Sequence, residues 1–123
     1  MNLVDSSGWL EYFADGKNAD FFAAPIEDMK NCIISSINVY EVFKKLLEER
    51  DEQTALQIIA VMHQCRIEPV DARLALLGAQ ISRDRKLPMA DSLILATARQ
   101  HNAILWTQDT HFKGIEGVRY IGK

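Results

Sequence analysis

LPMADSLILATA, residues 87–98, is the stretch that decides the fold. It predicts a helix over Met89–Arg99 that begins at Leu87-Pro88, with Pro in a first-turn position. Apolar residues surround the helix axis on nearly every side, and a helix without a wide polar face is central and buried. The apolar segment 103–107 follows it as a strand, so a buried helix leads into a buried strand.

Four more short apolar strands are predicted outward from this block: at 3–4, 32–36, 67–70 and 118–121. Helical periodicity fills the intervals, for example Ala55, Ile58, Ile59 and Met62 at i, i+3, i+4 and i+7. Short strands without polar alternation, separated by helices, indicate a central, mostly parallel sheet flanked by helices on both faces. We therefore expect one α/β domain over residues 1–123, with the Pro69-interrupted third strand near an edge.

Several local features refine these boundaries. Gly16 is expected to end the first helix, and Pro25 to end a second, short helix over 19–24. Asp71 is placed to cap the next-to-last helix. Val39, Phe43, Leu46 and Leu47 form a predicted inward stripe of the helix that follows the second strand.

Composition supports a folded, non-membrane protein. The chain has 123 residues, of which 48% are hydrophobic and 25% charged, an ordinary globular balance that excludes a disordered tail. No apolar run reaches the ~18–20 residues that span a bilayer, and the N-terminus lacks the basic region of a secretion signal. Two cysteines, Cys32 and Cys65, are too few for a disulfide scaffold, so we expect reduced thiols and a cytoplasmic location.

Charge is distributed unevenly along the chain. The net charge is −3, but residues 1–61 hold 5 Lys/Arg against 11 Asp/Glu, and residues 62–123 hold 9 against 6. The halves therefore carry −6 and +3. Such an asymmetry fits either a solvated surface or a site that holds cations with carboxylates and phosphates with basic side chains.

Four acidic residues follow the predicted strands or open the helices beside them. Asp5 ends the first strand, Glu41 lies one turn into the helix after the second, Asp91 is in the first turn of the buried helix, and Asp109 is two residues past the fourth strand. Parallel sheets bind ligands at the carboxyl ends of their strands, so these acids are expected at one rim. Alternatives are a helix cap for Asp5, a solvated Glu-Lys face for Glu41, a first-turn dipole role for Asp91 and a turn role for Asp109.

Convergence of four carboxylates predicts a metal site. Unpaired, they would repel one another and raise each other's pKa, whereas a hard divalent cation such as Mg²⁺ or Mn²⁺ stabilises them. His63, His101 and His111 are not spaced as a ligand set and are expected at the surface or at helix caps. Such ions support hydrolysis of phosphodiesters. Ser6 and Thr107 border the acids and are candidates to contact a metal-bound water or a phosphate, whereas Ser7 is expected to cap a turn.

The motifs resemble a known family over essentially the whole chain. They are Val4-Asp5-Ser6-Ser7 with Trp9, Leu10 and Phe13; Ile34-Ser35-Ser36 leading to Val39-Tyr40-Glu41-Val42; Leu87–Ala98; and Leu105-Trp106-Thr107-Gln108-Asp109 with Phe112. Together they resemble PIN-domain ribonucleases, in size the VapC-type toxins of toxin–antitoxin pairs. The resemblance implies a Mg²⁺- or Mn²⁺-dependent endoribonuclease, usually a homodimer, held in check by an antitoxin. Asp5, Glu41, Asp91 and Asp109 take the positions of the acidic quartet.

One departure from the family pattern concerns the fourth acid. Many members carry a further acid close to it, whereas here Gln108 and Thr110 flank Asp109. The aromatic residues Trp9, Tyr12, Phe21 and Phe22 are candidates for a dimer or antitoxin contact, with core packing as the alternative, and for Trp9 we expect core packing.

Basic residues near the acids are candidates for contacts with RNA phosphates, with a solvated face as the alternative for each. They are Lys44, Lys45, Arg83, Arg85 and Lys86. Two rival functions remain. A phospho-receiver domain shares the length and an acidic Mg²⁺ pocket, but the first strand ends in one acid and Thr107-Gln108-Asp109 lacks the required Lys. A catalytically silent PIN-like interaction module is the other.

Overall fold

Five short strands form one sheet in which every neighbouring pair is parallel. The computed structural model describes all residues, 1–123. The strand order is β3-β2-β1-β4-β5. Their bounds are β1 (Asn2–Val4), β2 (Cys32–Ser35), β3 (Arg66–Glu68), β4 (Ile104–Thr107) and β5 (Val118–Tyr120). The predicted parallel sheet is confirmed, and β3 lies at its edge and ends before Pro69, which cannot donate a hydrogen bond to a neighbouring strand.

Six helices cover the sheet, joined by short 3-10 turns at Met29–Asn31 and Thr110–Phe112. They are α1 (Ser6–Phe13), α2 (Ala19–Glu27), α3 (Ser36–Glu49), α4 (Glu52–Met62), α5 (Ala72–Arg85) and α6 (Met89–Gln100). None of these helices has the length and apolar character needed to cross a membrane.

The sheet separates two hydrophobic cores. Consecutive strand residues point to opposite faces. Val4 and Trp106 therefore pack with α1–α4, whereas Leu3 and Leu105 pack with α5 and α6. Residues 94–98 of α6 are all buried, as predicted for the central helix. This two-layer covering confirms helices on both faces and leaves the carboxyl edge of the sheet free for polar side chains.

Side-chain caps start α3, which carries part of the site, and α5. Ser35 caps α3 by accepting the Ile37 N–H at 3.1 Å, and Asn38 Oδ1 accepts the Ser35 N–H at 3.0 Å. Asp71 caps α5 as predicted, accepting the Leu74 N–H at 2.9 Å. These bonds satisfy backbone donors that have no partner within the helix.

Two helix ends differ from the predictions. α1 ends at Phe13, and the left-handed residue beyond it is Asp15, with φ 52°, rather than Gly16. Gly16 instead closes the turn by donating its N–H to the Glu11 carbonyl at 3.0 Å. α2 runs through Pro25 because Pro25 and the next residue are buried, and tertiary packing outweighs the lost hydrogen bond.

The inward face of α3 is also shifted from the predicted stripe. Asn38, Val42 and Leu46 are its buried residues, whereas Leu47 is 44% exposed. Spacing alone favoured a stripe one residue further along, because it counted only apolar residues and Asn38 is polar. The shift turns Glu41 toward the sheet edge.

Gly8 of α1 is packed too closely to accept a side chain. A Cβ there would lie 2.6 Å from the Phe22 ring and 2.7 Å from Val4 Cγ1, and both neighbours are fully buried. We expect Gly8→Ala to destabilise the protein by about 1–3 kcal/mol, as overpacking does. Thermal unfolding should show a Tm at least about 4 °C lower.

Gly78→Ala in α5 is the matched control. Its Cβ would meet the end of the half-buried Leu93 side chain, which can rotate, and alanine is the better helix former by about 1 kcal/mol. A Gly78→Ala loss as large as that of Gly8→Ala would contradict the packing explanation.

Candidate metal centre

The four predicted carboxylates line one cleft at the carboxyl edge of the sheet. Asp5 joins β1 to α1, Glu41 lies in α3, Asp91 lies in the first turn of α6 and Asp109 follows β4. The cleft has a volume of about 260 Å³ and is also lined by Ser6, Ser7, Leu10 and Lys45. Four chain segments that are distant in sequence therefore meet at one rim.

Asp5 is a buried carboxylate without a basic partner. It is 4% exposed and forms no ion pair with any Lys, Arg or His side chain. Its Oδ1 accepts the Ser6 N–H at 2.8 Å, and its Oδ2 accepts the hydroxyls of Thr107 at 2.8 Å and Ser7 at 3.3 Å. The helix-cap alternative is thus partly realised.

Burial raises the pKa of Asp5 to about 7. Hydrogen bonds from Thr107 and Ser6 oppose this rise, and the nearby charges of Asp91 and Glu41 add to it. An ionised carboxylate in such a place needs a counterion, which the protein itself does not provide.

Thr107 connects two of the acids. Its fully buried hydroxyl donates to Asp5 and accepts the Asp109 N–H at 2.9 Å. The bond fixes where the chain leaves β4 and therefore where the Asp109 carboxylate lies. Thr107 thus orients acidic residues in this structure.

A hydrogen-bond chain orients Glu41. Asn38 Nδ2 donates to Ser6 Oγ at 2.9 Å, so the Ser6 hydroxyl is left to donate to Glu41 Oε1 at 2.7 Å. Burial raises the pKa of Glu41, and the Ser6 bond opposes the rise. The solvated-face alternative for Glu41 is wrong, because Glu41 is half-buried and Lys45 pairs with Glu49 at 3.1 Å instead.

Asn38 is a site residue that the sequence reasoning missed. Its side chain is fully buried and serves both the α3 cap and Ser6. The signal was its position three residues after Ser35, where a capping box places a side chain that bonds back to the cap.

His111 is the second missed residue. It is exposed, as predicted, but its imidazole also contacts two of the four acids, which the sequence reasoning did not foresee. Its Nδ1 lies 2.7 Å from Asp91 Oδ2 and 3.5 Å from Asp109 Oδ1. Ligand atoms of these three residues all lie within 4.8 Å of one another. The bond to Asp91 raises the pKa of His111, whereas burial raises the pKa of Asp91 against that bond.

His63 and His101 have the predicted cap and surface roles. His63 follows α4 as its C-cap residue, and its Nδ1 lies 2.9 Å from the Ile59 carbonyl. His101 follows α6, and its Nε2 lies 3.4 Å from Glu68 Oε2. Cys32 and Cys65 are free and buried.

Gln108 and Thr110, which flank Asp109 in place of the further acid that many members of the family carry, both lie outside the acidic cleft. Gln108 is 7% exposed, and its Oε1 accepts the Asn18 amide at 2.9 Å, away from the four acids. Thr110 begins the 3-10 turn and is exposed. Neither residue lines the acidic cleft, and His111 is the additional polar side chain that reaches Asp91 and Asp109.

Only Lys45 among the five predicted basic residues lines the cleft itself. Lys44 lies beside it on α3, with its Nζ 5.9 Å from the centre of the Tyr40 ring. Arg83, Arg85 and Lys86 are exposed at the end of α5, and Arg83 pairs with Asp84. RNA contacts by these side chains stay a prediction.

Two aromatic candidates for partner contacts are core residues. Trp9 and Phe22 are fully buried, so core packing, the expected role of Trp9, holds for both, and neither is available for contact with a partner. Tyr12 and Phe21 are half-buried, and the Tyr12 hydroxyl donates to Glu27 at 2.9 Å. Trp9 and Phe22 instead anchor α1 and α2 against the sheet.

The donor set fits a hard divalent cation. Four carboxylates face one ammonium group around the cleft, and the most buried of them has no ion-pair partner. Oxygen donors with room for water suit Mg²⁺ or Mn²⁺. Fold and cleft together define an all-parallel α/β domain with an acidic, cation-accepting rim.

The chain belongs to the PIN domain family, whose model matches residues 3–118. The phospho-receiver alternative is therefore set aside. The strand order also excludes it, because receiver domains have the order 2-1-3-4-5 and this sheet has the order β3-β2-β1-β4-β5. A search of the curated proteins finds no match to this sequence.

Solved structures share the fold along nearly the whole chain. A chain of a toxin–antitoxin complex from Klebsiella pneumoniae is 25% identical, with a TM-score of 0.81 over 97% of this chain and 96% of that one. FitAcB from Neisseria gonorrhoeae is 26% identical, with a TM-score of 0.64 over 99% and 97%. VapC20 of Mycobacterium tuberculosis, described as a sarcin–ricin loop cleaving toxin, is 17% identical, with a TM-score of 0.77 over 94% and 95%.

Proposed function

We propose that this protein is a divalent-metal-dependent endoribonuclease, the VapC-type toxin of a toxin–antitoxin pair. The observation that carries the proposal is the buried Asp5, which pairs with no basic side chain, within a four-carboxylate cleft of a PIN domain. The similar Klebsiella pneumoniae structure is a toxin–antitoxin complex, and VapC20 cleaves the sarcin–ricin loop. These similarities support the same class of reaction here.

Asp5, Asp91 and Asp109 are the proposed holders of the ion. Bound Mg²⁺ or Mn²⁺ supplies charge neutralisation at the scissile phosphate and lowers the pKa of a water. Thr107 and Ser7 orient Asp5 by hydrogen bonds, so its oxygens keep fixed directions. Preorganised charge of this kind needs no rearrangement during the reaction.

Glu41 is the proposed acceptor of the proton that the attacking water loses. The Ser6 hydroxyl occupies Glu41 Oε1, which leaves Oε2 for the water. A burial-raised pKa makes Glu41 a stronger base than an exposed glutamate. Lys45 at the cleft and Lys44, Arg83, Arg85 and Lys86 around it are the proposed contacts for RNA phosphates.

The test is cleavage of a defined RNA that contains single-stranded loops by the purified protein. We expect endonucleolytic products with Mg²⁺ or Mn²⁺ and none with EDTA. Metal binding without cleavage of any tested RNA would favour the silent interaction module. Cleavage that continues in EDTA would contradict the metal dependence.

We also propose a cognate antitoxin and a homodimer in the cytoplasm. The similarity to toxin–antitoxin structures supports the antitoxin, and the family resemblance supports the dimer. Co-purification of the product of a neighbouring small open reading frame, with loss of RNA cleavage in the complex, tests the first proposal. Light scattering of the isolated chain tests the second.

Ser6→Ala should impair the reaction through Glu41. The variant leaves Asn38 Nδ2 without an acceptor and removes the bond that lowers the pKa of Glu41. We expect kcat to fall about 10- to 100-fold, the range of general-base catalysis at its lower end, and the acidic limb of the pH–rate profile to move to higher pH.

Ser7→Ala is the matched control, because Ser7 contacts Asp5 at 3.3 Å and not Glu41. It should leave that acidic limb in place. An unchanged limb in Ser6→Ala would show that Ser6 does not position the base.

A further inference from the structure

We infer that His111 is a nitrogen ligand of the metal, completing a site with Asp91 and Asp109 that prefers Mn²⁺ to Mg²⁺. The inference rests on the metal dependence proposed above. His111 lies outside the four acids, and a nitrogen ligand affects the choice between Mn²⁺ and Mg²⁺ in a way that carboxylates alone do not. Three observations on the chain carry it.

The first observation is distance. His111 Nδ1 lies 2.7 Å from Asp91 Oδ2 and 3.5 Å from Asp109 Oδ1, so one ring nitrogen faces both carboxylates. Neighbouring ligands around a small octahedral cation are about 3 Å apart. The nitrogen therefore lies at ligand spacing from both carboxylates, and ligand atoms of the three residues all lie within 4.8 Å of one another, close enough to share one ion.

The second observation is that the backbone of His111 is fixed in position, although its ring is exposed. The Asp109 side chain accepts the His111 N–H at 2.9 Å, and the next residue, Phe112, is fully buried in the core. The 3-10 turn Thr110–Phe112 is thus fixed at both ends. The His111 side chain is 55% exposed and could adopt several rotamers, but the fixed backbone keeps the start of the side chain next to Asp91 and Asp109.

The third observation is the direction of the neighbouring side chains. Gln108 turns away to Asn18, so no further carboxylate competes with the imidazole at this side of the cleft. His111 is therefore the polar side chain that joins Asp91 and Asp109 at this side of the cleft. It adds a nitrogen donor to the carboxylate oxygens.

Nitrogen donation changes the choice of ion. Mg²⁺ is bound almost entirely by oxygen ligands and loses water reluctantly, whereas Mn²⁺ is a first-row transition ion that, although carboxylate and water suit it best, also binds a nitrogen donor in a mixed ligand set. Ligation would use the Nδ1 lone pair, which requires the ring proton to reside on Nε2. The alternative is that His111 only hydrogen-bonds Asp91 and competes with the ion for it.

Mn²⁺ binding to the tag-free full chain, followed by EPR, separates these possibilities. We expect pulsed EPR of bound Mn²⁺ to show ¹⁴N coupling that disappears in His111→Gln. We also expect His111→Gln to weaken Mn²⁺ binding about 10-fold and Mg²⁺ binding much less, measured by competition. His63→Gln is the matched control and should keep both the coupling and the affinity.

Three results would overturn the inference. Bound Mn²⁺ without ¹⁴N coupling removes the ligand role while leaving the metal dependence intact. Tighter Mn²⁺ binding by His111→Gln shows that the imidazole competes with the ion. Absence of any Mn²⁺ binding by the unmodified chain overturns the proposed metal dependence itself, and with it this inference.

Discussion

We expect Asp5→Asn and Asp91→Asn each to reduce the proposed metal-dependent RNA cleavage at least about 10³-fold. Each variant removes one negative charge from the cleft, and ion-mediated stabilisation of the transition state is worth several kcal/mol. The substitutions keep the shape of the side chains, so the loss reflects charge rather than packing. Initial cleavage rates at saturating Mg²⁺ and Mn²⁺ measure it.

Asp71→Asn is the matched control, because it replaces an aspartate by asparagine outside the cleft. Asp71 caps α5 and lies outside the cleft, and asparagine is an equally good cap. Its cleavage rate should equal that of the unmodified protein. Full activity of Asp5→Asn or Asp91→Asn in a preparation free of contaminating nuclease would refute the assignment of the site.

The second large effect is on stability in the absence of metal. The pKa of Asp5 is about 7 in the folded chain against 3.8 for the free side chain, so the folded state retains the proton more strongly. The folded state is therefore favoured at low pH and loses stability as the pH rises from about 4 to 7. The loss attributable to Asp5 is on the order of 4 kcal/mol.

Asp5→Asn should reverse the order of stability between two pH values. At pH 8 in EDTA the variant lacks the buried charge, and we expect its Tm to exceed that of the unmodified protein by about 10 °C or more. At pH 4 the advantage disappears, because Asp5 is then neutral and the amide matches the Thr107 and Ser7 hydroxyls less well.

Divalent ions complete this test. Mg²⁺ or Mn²⁺ at pH 8 should raise the Tm of the unmodified protein, because a ligand that binds only the folded state stabilises it, and should raise that of Asp5→Asn much less. Parallel Tm profiles of the two proteins from pH 4 to 8 would contradict the buried, uncompensated charge of Asp5.

Much of the fold follows from local sequence. The buried α6 block, the short apolar strands and the cap at Asp71 are set by residues close together in the chain, and the structure has them where they were predicted. Placement of the four acids at one rim also followed, because parallel strands bring their carboxyl ends to a common edge.

The limits of local reasoning are visible at α2 and α3. Pro25 is a helix breaker by its chemistry, yet burial of Pro25 and Ile26 keeps α2 continuous to Glu27. Leu47 fits an apolar stripe, yet the sheet contacts Val42 and Leu46, and Leu47 is left exposed. The surface against which each helix packs determined where α2 ends and which face of α3 is buried. No sequence pattern within the helix identifies that surface.

Sequence by itself determined the layered α/β architecture and the identity of the four acids, because periodicity and strand ends are properties of neighbouring residues. Only the tertiary structure decided which polar groups serve those acids. His111 meets Asp91 across 20 positions and Asn38 meets Ser6 across 32, since helix packing sets side-chain directions to fractions of a turn. Hydrogen bonds depend on such directions within a few tenths of an ångström, and sequence spacing does not specify them.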